Sequence, residues 1–331
     1  MRTPAASSGP PFARICSVAS ALPSRVLDNA QLCQYIDSSD EWILQRTGIA
    51  ERRWLDEDET LETLTLAACR AAITRAGLRP EDVDGLLLAT VSHLIQTPAL
   101  APRLAAKLGL ADPVAYDISA ACAGFSYALA QAEALVRAGQ ARHVLVVAAE
   151  TLSRLTDVYD RSTAFLFADG AGAVVVGGCE VNGIGPVVWG SDGAQADAIW
   201  QTMDWAEAVE HGRWPAIGMD GRAVFKWATT SVPQAARRCL DAAGVTPAEL
   251  DVFIPHQAND RITDAILRHL DLPESVVVAR TIKNLGNTSG SSVPIAMDAL
   301  IASGAAHSGD TALIIGFGAG LVYAGQVVTL P

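Results

Sequence analysis

The sequence predicts an α/β protein built from two similar halves, and three observations carry that reading. Apolar strand-length runs alternate with helical stretches, the pattern of a largely parallel sheet with helices on its faces. The stretch Gly77-Leu-Arg-Pro80-Glu-Asp82-Val-Asp84 is repeated as Gly244-Val-Thr-Pro247-Ala-Glu249-Leu-Asp251, an offset of 244 − 77 = 167 residues. Three chemically distinctive turns each follow a predicted strand, so they gather where open α/β sheets hold their ligands.

Residues 1–12 are rich in Pro, Ser and Ala and lack the apolar stretch of a secretion signal, so a disordered extension is expected there. Residues 13–182 are expected to form the first half and 183–331 the second, with the divide near Glu180 to Gly185. In each half a glycine ends a helix, a proline opens a short turn, and a strand follows; Thr246-Pro247-Ala248-Glu249 reads as a capping box. In the first half, Val114-Ala115-Tyr116 reads as the end of a short buried strand. Ser126 to Ala138 is apolar almost all round, the mark of a buried helix, and Gly139 is its natural stop. Cys122 falls between them, near the helix N-terminus. Unpaired N–H groups and the positive dipole end favour an anion at that point, so the thiol is expected to ionise readily and act as a nucleophile. Small neighbours (Ala120, Ala121, Ala123, Gly124) leave room for a substrate. An isolated buried cysteine is more often apolar filler, as expected for Cys16, Cys33, Cys69, Cys179 and Cys239.

The second half supplies the partners. Val252-Phe253-Ile254 runs into Pro255-His256-Gln257-Ala258-Asn259, and the last strand runs into Gly316-Phe317-Gly318-Ala319-Gly320. The offset of 167 sets Cys122 opposite Ser289, inside Asn284-Leu-Gly-Asn287-Thr-Ser-Gly-Ser-Ser292, and sets Val144–Val147 opposite Thr311–Ile314. A Cys, a His, an Asn and a glycine-rich turn thus converge, although each alone is a weak signal.

Composition bounds the function. The chain has 331 residues, 50% hydrophobic and 18% charged, with a net charge of −12. That acidity argues against nucleic acid as a partner. No apolar run reaches membrane-spanning length, and scattered single cysteines exclude the usual zinc and dithiol spacings and fit a reduced cytoplasm.

These stretches resemble β-ketoacyl-acyl-carrier-protein synthase III, within the thiolase superfamily. The likeness runs from about Ala13 to the C-terminus. It rests on Asp40-Glu-Trp42-Ile with Arg46-Thr-Gly-Ile49, Ala120-Ala-Cys122-Ala-Gly-Phe125, Phe167-Ala-Asp-Gly-Ala-Gly172, Pro255-His256-Gln-Ala-Asn259 with Arg261-Ile262, and Gly286-Asn287-Thr-Ser. Long-chain elongating relatives carry a second His where Asn287 stands, and degradative thiolases carry a second Cys in the final glycine turn. The stretch Met219 to Lys226 looks like actinobacterial members, including those that prime aromatic polyketide synthases.

The resemblance implies a five-layer αβαβα sandwich and a homodimer. It implies that Cys122 takes an acyl group from acyl-coenzyme A, and that His256 and Asn287 stabilise the enolate left when malonyl-acyl carrier protein loses carbon dioxide. Backbone N–H groups of Cys122 and Ala319 would form an oxyanion hole. Trp42 and Arg161 would sandwich the coenzyme A adenine, with Arg46 near its phosphates. Lys226, Arg261 and Arg268 would meet the acidic carrier, with Asp260 and His269 weakening that patch. Thr97 would close the acyl pocket from the neighbouring subunit, leaving room for longer or branched starters. No metal or redox cofactor is implied. Two other classes compete: an acyltransferase on the same fold, which need not keep Asn287, and a non-catalytic carrier-binding subunit, which need not keep Cys122, His256 and Asn287 together.

Overall fold

The computed structural model describes residues 8–331. The extension expected at residues 1–12 therefore lies mostly outside the described residues, and the first strand begins at Phe12. The first sheet contains β1 (Phe12–Ala21), β2 (Gly85–Ala89), β3 (Val114–Ile118), β4 (His143–Thr151) and β5 (Asp169–Cys179), in the spatial order β1-β5-β4-β2-β3. The second contains β6 (Val188–Ser191), β7 (Val252–Pro255), β8 (Val277–Val278), β9 (Thr311–Gly318) and β10 (Val322–Thr329), in the order β6-β10-β9-β7-β8. The two orders are the same, and so are the directions. In each sheet the fifth strand runs antiparallel to both its neighbours, while the fourth, second and third strands pair in parallel. The sheets are thus mixed rather than wholly parallel.

Helices fill the layers between and outside the sheets. α1 (Asp40–Thr47) lies in a long excursion after β1. α2 (Leu61–Arg75) and α3 (Leu100–Leu108) cover the outer face of the first sheet, packing on Leu86, Leu88, Leu145 and Val147. α4 (Gly124–Arg137) and its counterpart α7 (Ser292–Ala302) form the middle layer. They pack against Leu87, Val144 and Val146 of one sheet and Ile254, Ala312 and Ile314 of the other. α5 (Gly221–Ala243) and α6 (Asp260–Leu270) cover the outer face of the second sheet over Phe253, Leu313 and Ile315. Five layers result. Successive residues of the central strands face opposite layers, which is why runs such as Leu86-Leu87-Leu88 are continuously apolar.

Two expectations about the Cys122 loop need correcting. β3 is an edge strand, not a buried one: it pairs with β2 alone, and Val114 is 45% exposed. The offset between halves is 167 at β2 and β7, 277 − 114 = 163 at β3 and β8, and 312 − 144 = 168 at β4 and β9. Gly85 pairs with Val144, and Val252 with Ala312, so Val144 corresponds to Ala312. Ala121 and Ser289 open corresponding short turns, both with left-handed backbone (φ 44° and 52°), so Ser289 corresponds to Ala121 rather than to Cys122. The second half is four residues shorter between its second and third strands (277 − 252 = 25 against 114 − 85 = 29) and five longer between the third strand and the turn (289 − 277 = 12 against 121 − 114 = 7), which leaves the net slip of one.

Candidate active site

The Cys122 turn is placed by its two neighbours. β3 ends at Ile118, the turn spans Ala121–Ala123, and α4 begins at Gly124. α4 stops at Ala138 and Gly139 follows with φ 69°, as its sequence foretold. Close backbone approach fixes the turn from the far side. A Cβ on Gly318 would fall 2.8 Å from Cys122 Sγ, and one on Gly316 2.8 Å from the Cys122 carbonyl oxygen. The end of β9 therefore needs glycine for packing and not for an unusual φ. The turn that starts at Ala319 follows at once, so the Ala319 N–H precedes any intrahelical acceptor; the Cys122 N–H is the second of its own turn, Ala121–Ala123.

Cys122, His256 and Asn287 line one cavity of about 750 Å³, together with Ser289, Gly318 and Ala319. His256 follows β7 directly, and its N–H donates to the Ile315 carbonyl of β9, 2.8 Å away. Its Nδ1 lies 2.7 Å from Ser292 Oγ, and its ring meets Phe317 edge to face at 5.2 Å. Asn287 is held by the other half of the chain. Its N–H donates to the Leu166 carbonyl and its carbonyl accepts from the Ala168 N–H, both at 2.9 Å. The Asn287 side-chain oxygen accepts from the Ser289 N–H at 2.8 Å, which leaves its NH₂ as the group free to donate. The preceding Gly286 has φ 69°, and a Cβ there would meet Arg52 Cβ at 2.8 Å.

Electrostatics contradict one expectation. Burial pushes the Cys122 thiol up to about 12, against a smaller lowering by the Ser289 hydroxyl, which donates to Sγ at 3.4 Å. Desolvation outweighs the lowering contributions in this enclosed site. Burial likewise pushes His256 down to about 3, the Ser289 carbonyl opposing weakly, so the imidazole is neutral throughout the neutral range. The resting site thus holds an uncharged thiol beside uncharged donors.

The remaining expected residues divide into three groups. Trp42 and Arg46, on α1, line the same cavity, with Phe225, Arg222 and Asn259 also in its wall. The Arg46 and Arg161 guanidinium carbons lie 5.8 Å and 5.1 Å from the Trp42 ring centroid, so the three expected coenzyme contacts form one cluster. Lys226 of α5 and Arg261 and Arg268 of α6 are exposed. Arg261 stacks over Phe225 at 5.4 Å, which ties it to the cavity rim, and none of the three has an ion-pair partner among the described residues. Asp260 is paired to Arg280, which also holds Asp264, at 2.5 and 2.7 Å, and not to a cation of this patch. Thr97 is exposed and stands outside the lining of its own chain's cavity. Sequence reasoning missed Arg222 as a wall residue and Ser289 and Ser292 as polar partners. The two serines lie inside the quoted Asn284–Ser292 stretch, but the offset of 167 aligned Ser289 with the nucleophile and so hid its role.

A duplicated five-layer fold with a cysteine at the N-terminus of a central helix, facing a His and an Asn, defines a condensing enzyme of the thiolase class. Comparison with known proteins narrows the class. Residues 116–193 match 3-oxoacyl-[acyl-carrier-protein (ACP)] synthase III and residues 240–330 match its C-terminal region. The chain is 52% identical over 327 residues to a β-ketoacyl-[acyl-carrier-protein] synthase III of Streptomyces glaucescens, covering 98% of each protein. It is 50% identical over 333 residues to a mycobacterial β-ketoacyl-[acyl-carrier-protein] synthase III of Mycolicibacterium paratuberculosis, covering 100% of this chain and 99% of the relative. Among solved structures, a priming β-ketosynthase of a polyketide biosynthetic pathway superposes with a TM-score of 0.96 at 45% identity, covering 100% of this chain and 98% of that one. The chain belongs to the β-ketoacyl-[acyl-carrier-protein] synthase III family, and it is a transferase of the condensing kind.

Proposed function

We propose that the chain loads an acyl group from acyl-coenzyme A onto Cys122 and joins it to malonyl-acyl carrier protein, initiating fatty acid or polyketide synthesis. In the first half-reaction Cys122 Sγ bonds to the acyl carbonyl carbon, and the coenzyme A thiolate leaves with the thiol proton. In the second, the malonyl carbon–carboxylate bond breaks, carbon dioxide leaves, and the enolate carbon attacks the acyl-Cys122 carbonyl. The Cys122 thiolate departs and takes up one proton. A covalent intermediate divides one hard step into two easier ones. In this reading the Cys122 and Ala319 N–H groups bind the tetrahedral oxyanion, and His256 and the Asn287 NH₂ bind the enolate oxygen. Neither half-reaction calls for a metal or a redox group.

The observation that supports condensation over plain acyl transfer is the pair of neutral donors, His256 and Asn287, buried beside Cys122. An acyltransferase needs a base for its acceptor, and an imidazole pushed down to about 3 keeps its proton-accepting power low. Asn287→Ala should load acyl groups on Cys122 at near the wild-type rate, seen by intact mass, while carbon dioxide release from malonyl-carrier falls about 10²–10³-fold. Wild-type condensation by Asn287→Ala would sink the reading.

Trp42, Arg46 and Arg161 are proposed to hold the adenine and phosphates of coenzyme A. Lys226, Arg261 and Arg268 are proposed to dock the acidic carrier. The chain is further proposed to pair as a homodimer across the open edge of β3, bringing Thr97 to the partner's acyl pocket. The exposed edge of β3 and the half-exposed Ile95 support that pairing. Sedimentation velocity should give twice the mass of one chain, and a monomer at micromolar concentration would rule it out.

A further inference from the structure

A neutral imidazole carries one hydrogen, and the nitrogen that carries it decides what His256 can do. With the hydrogen on Nε2 it is a donor toward the cavity. With the hydrogen on Nδ1 it presents a lone pair there and repels an enolate oxygen. The proposed condensing function, on which this inference rests, requires the first form.

The surroundings of Nδ1 select it. Ser292, at the first position of α7, is 1% exposed and lies 2.7 Å from Nδ1. Its Oγ already accepts from the Gln257 N–H at 3.2 Å. Its own hydrogen needs an acceptor. The usual one for a helical serine is the carbonyl four residues back, here that of Thr288. That carbonyl is occupied, accepting from Ser291 Oγ at 2.7 Å and from the Ser291 N–H at 3.2 Å. Nδ1 is what remains. A hydrogen on Nδ1 would leave the Ser292 hydroxyl hydrogen unpaired in a buried site, which is costly. The Ser289 carbonyl, the ring's other polar neighbour, can only accept. Gln257 locks the arrangement: its side-chain amide donates to the Pro255 and Ala279 carbonyls and accepts from the Ile282 N–H, so its backbone N–H is held toward Ser292. Phe317, edge-on at 78°, fixes the ring plane.

We propose that Ser292 is a positioning residue: its hydroxyl donates to Nδ1 of His256 and so holds the imidazole as an Nε2–H donor to the enolate oxygen. The residue touches no substrate and lies outside the cavity lining. Its effect belongs to decarboxylation, since loading uses the Cys122 and Ala319 backbone donors.

The test uses the full chain labelled with ¹⁵N-histidine, with the His256 signals assigned by their loss in His256→Gln. Two-bond proton–nitrogen spectra should show the Nε2–H tautomer in the wild type. An Nδ1–H tautomer there would overturn the proposal without any variant and without any activity. Ser292→Ala should populate both tautomers, slow carbon dioxide release about tenfold or more, and leave acyl loading within about twofold; Ser292→Thr should restore the single tautomer and the rate. Equal loss of loading and carbon dioxide release in Ser292→Ala, with the Nε2–H tautomer intact, would show a packing role instead and refute the assignment. If the wild type consumes no malonyl-carrier, the condensing reading fails, while the tautomer spectra still decide what Ser292 does.

Discussion

At the scale of single residues, the site works by withholding charge until the substrate arrives. Cys122 is held as a thiol by burial, and the Ser289 hydroxyl is the nearest group that eases its ionisation. Removing that hydroxyl should make the thiolate rarer. Ser289→Ala is expected to slow alkylation of Cys122 by iodoacetamide severalfold at pH 8 and to slow acyl loading in parallel, because both need the thiolate. An unchanged alkylation rate would mean that Ser289 has no hold on the sulfur. That Cys122, His256 and Asn287 would share one cavity was legible in the sequence, although Asn287 follows a short helix, Ile282–Leu285, and not the strand end its neighbours suggested. The protonation state of Cys122 was not. A helix N-terminus can be read from residue order, whereas desolvation depends on what the other half of the chain lays over the thiol, and residue order does not display that.

At the scale of elements, α5 and α6 together make the rim. Arg261 leans on Phe225 of the neighbouring helix, and Arg280 takes up Asp260 and Asp264 on the same α6 turn, so neither acid pairs with a cation of the rim. Arg261→Glu should raise the apparent KM for malonyl-carrier and weaken its dependence on salt, while loading from acyl-coenzyme A stays nearly intact. Equal damage to both half-reactions would make Arg261 a strut between helices. The duplicated helix–turn–strand unit was visible because Pro80 and Pro247 recur with their flanking glycines and acids. The net one-residue slip before the nucleophile turn was not visible, because the segments of residues 90–113 and 256–276 share no pattern to anchor an alignment. β3 was misjudged as buried for a related reason: its apolar run reads alike at the middle and at the edge of a sheet.

At the scale of the molecule, burial of charge shapes the response to pH. Glu150, at the end of β4, is 1% exposed and has hydroxyl and N–H donors from Thr90, Val91 and Ser92 but no cation; burial pushes it up to about 7. A carboxyl raised from about 4.5 favours the folded state while it is protonated, so its contribution is full below about pH 4.5 and is lost as pH rises through 7. His256 acts in the opposite sense, since its lowered pKa makes the folded state lose stability as pH falls below 6.5 toward 3. Unfolding free energy, measured by denaturant titration from pH 5 to 8, should therefore fall more steeply with rising pH for the wild type than for Glu150→Gln, by up to about 1.4 kcal/mol per pH unit. Parallel profiles would mean that Glu150 is ionised throughout. The hydrogen bonds between Asn287 and the Leu166–Ala168 segment have a different consequence. The Asn287 amide in the cavity is contributed by one half of the chain and aimed by the other. Neither half holds a complete catalyst. A chain severed between residues 180 and 185 would regain turnover as a second-order process, its rate set by how often two inert fragments meet, so the ancient doubling survives as a division of labour that cannot be undone.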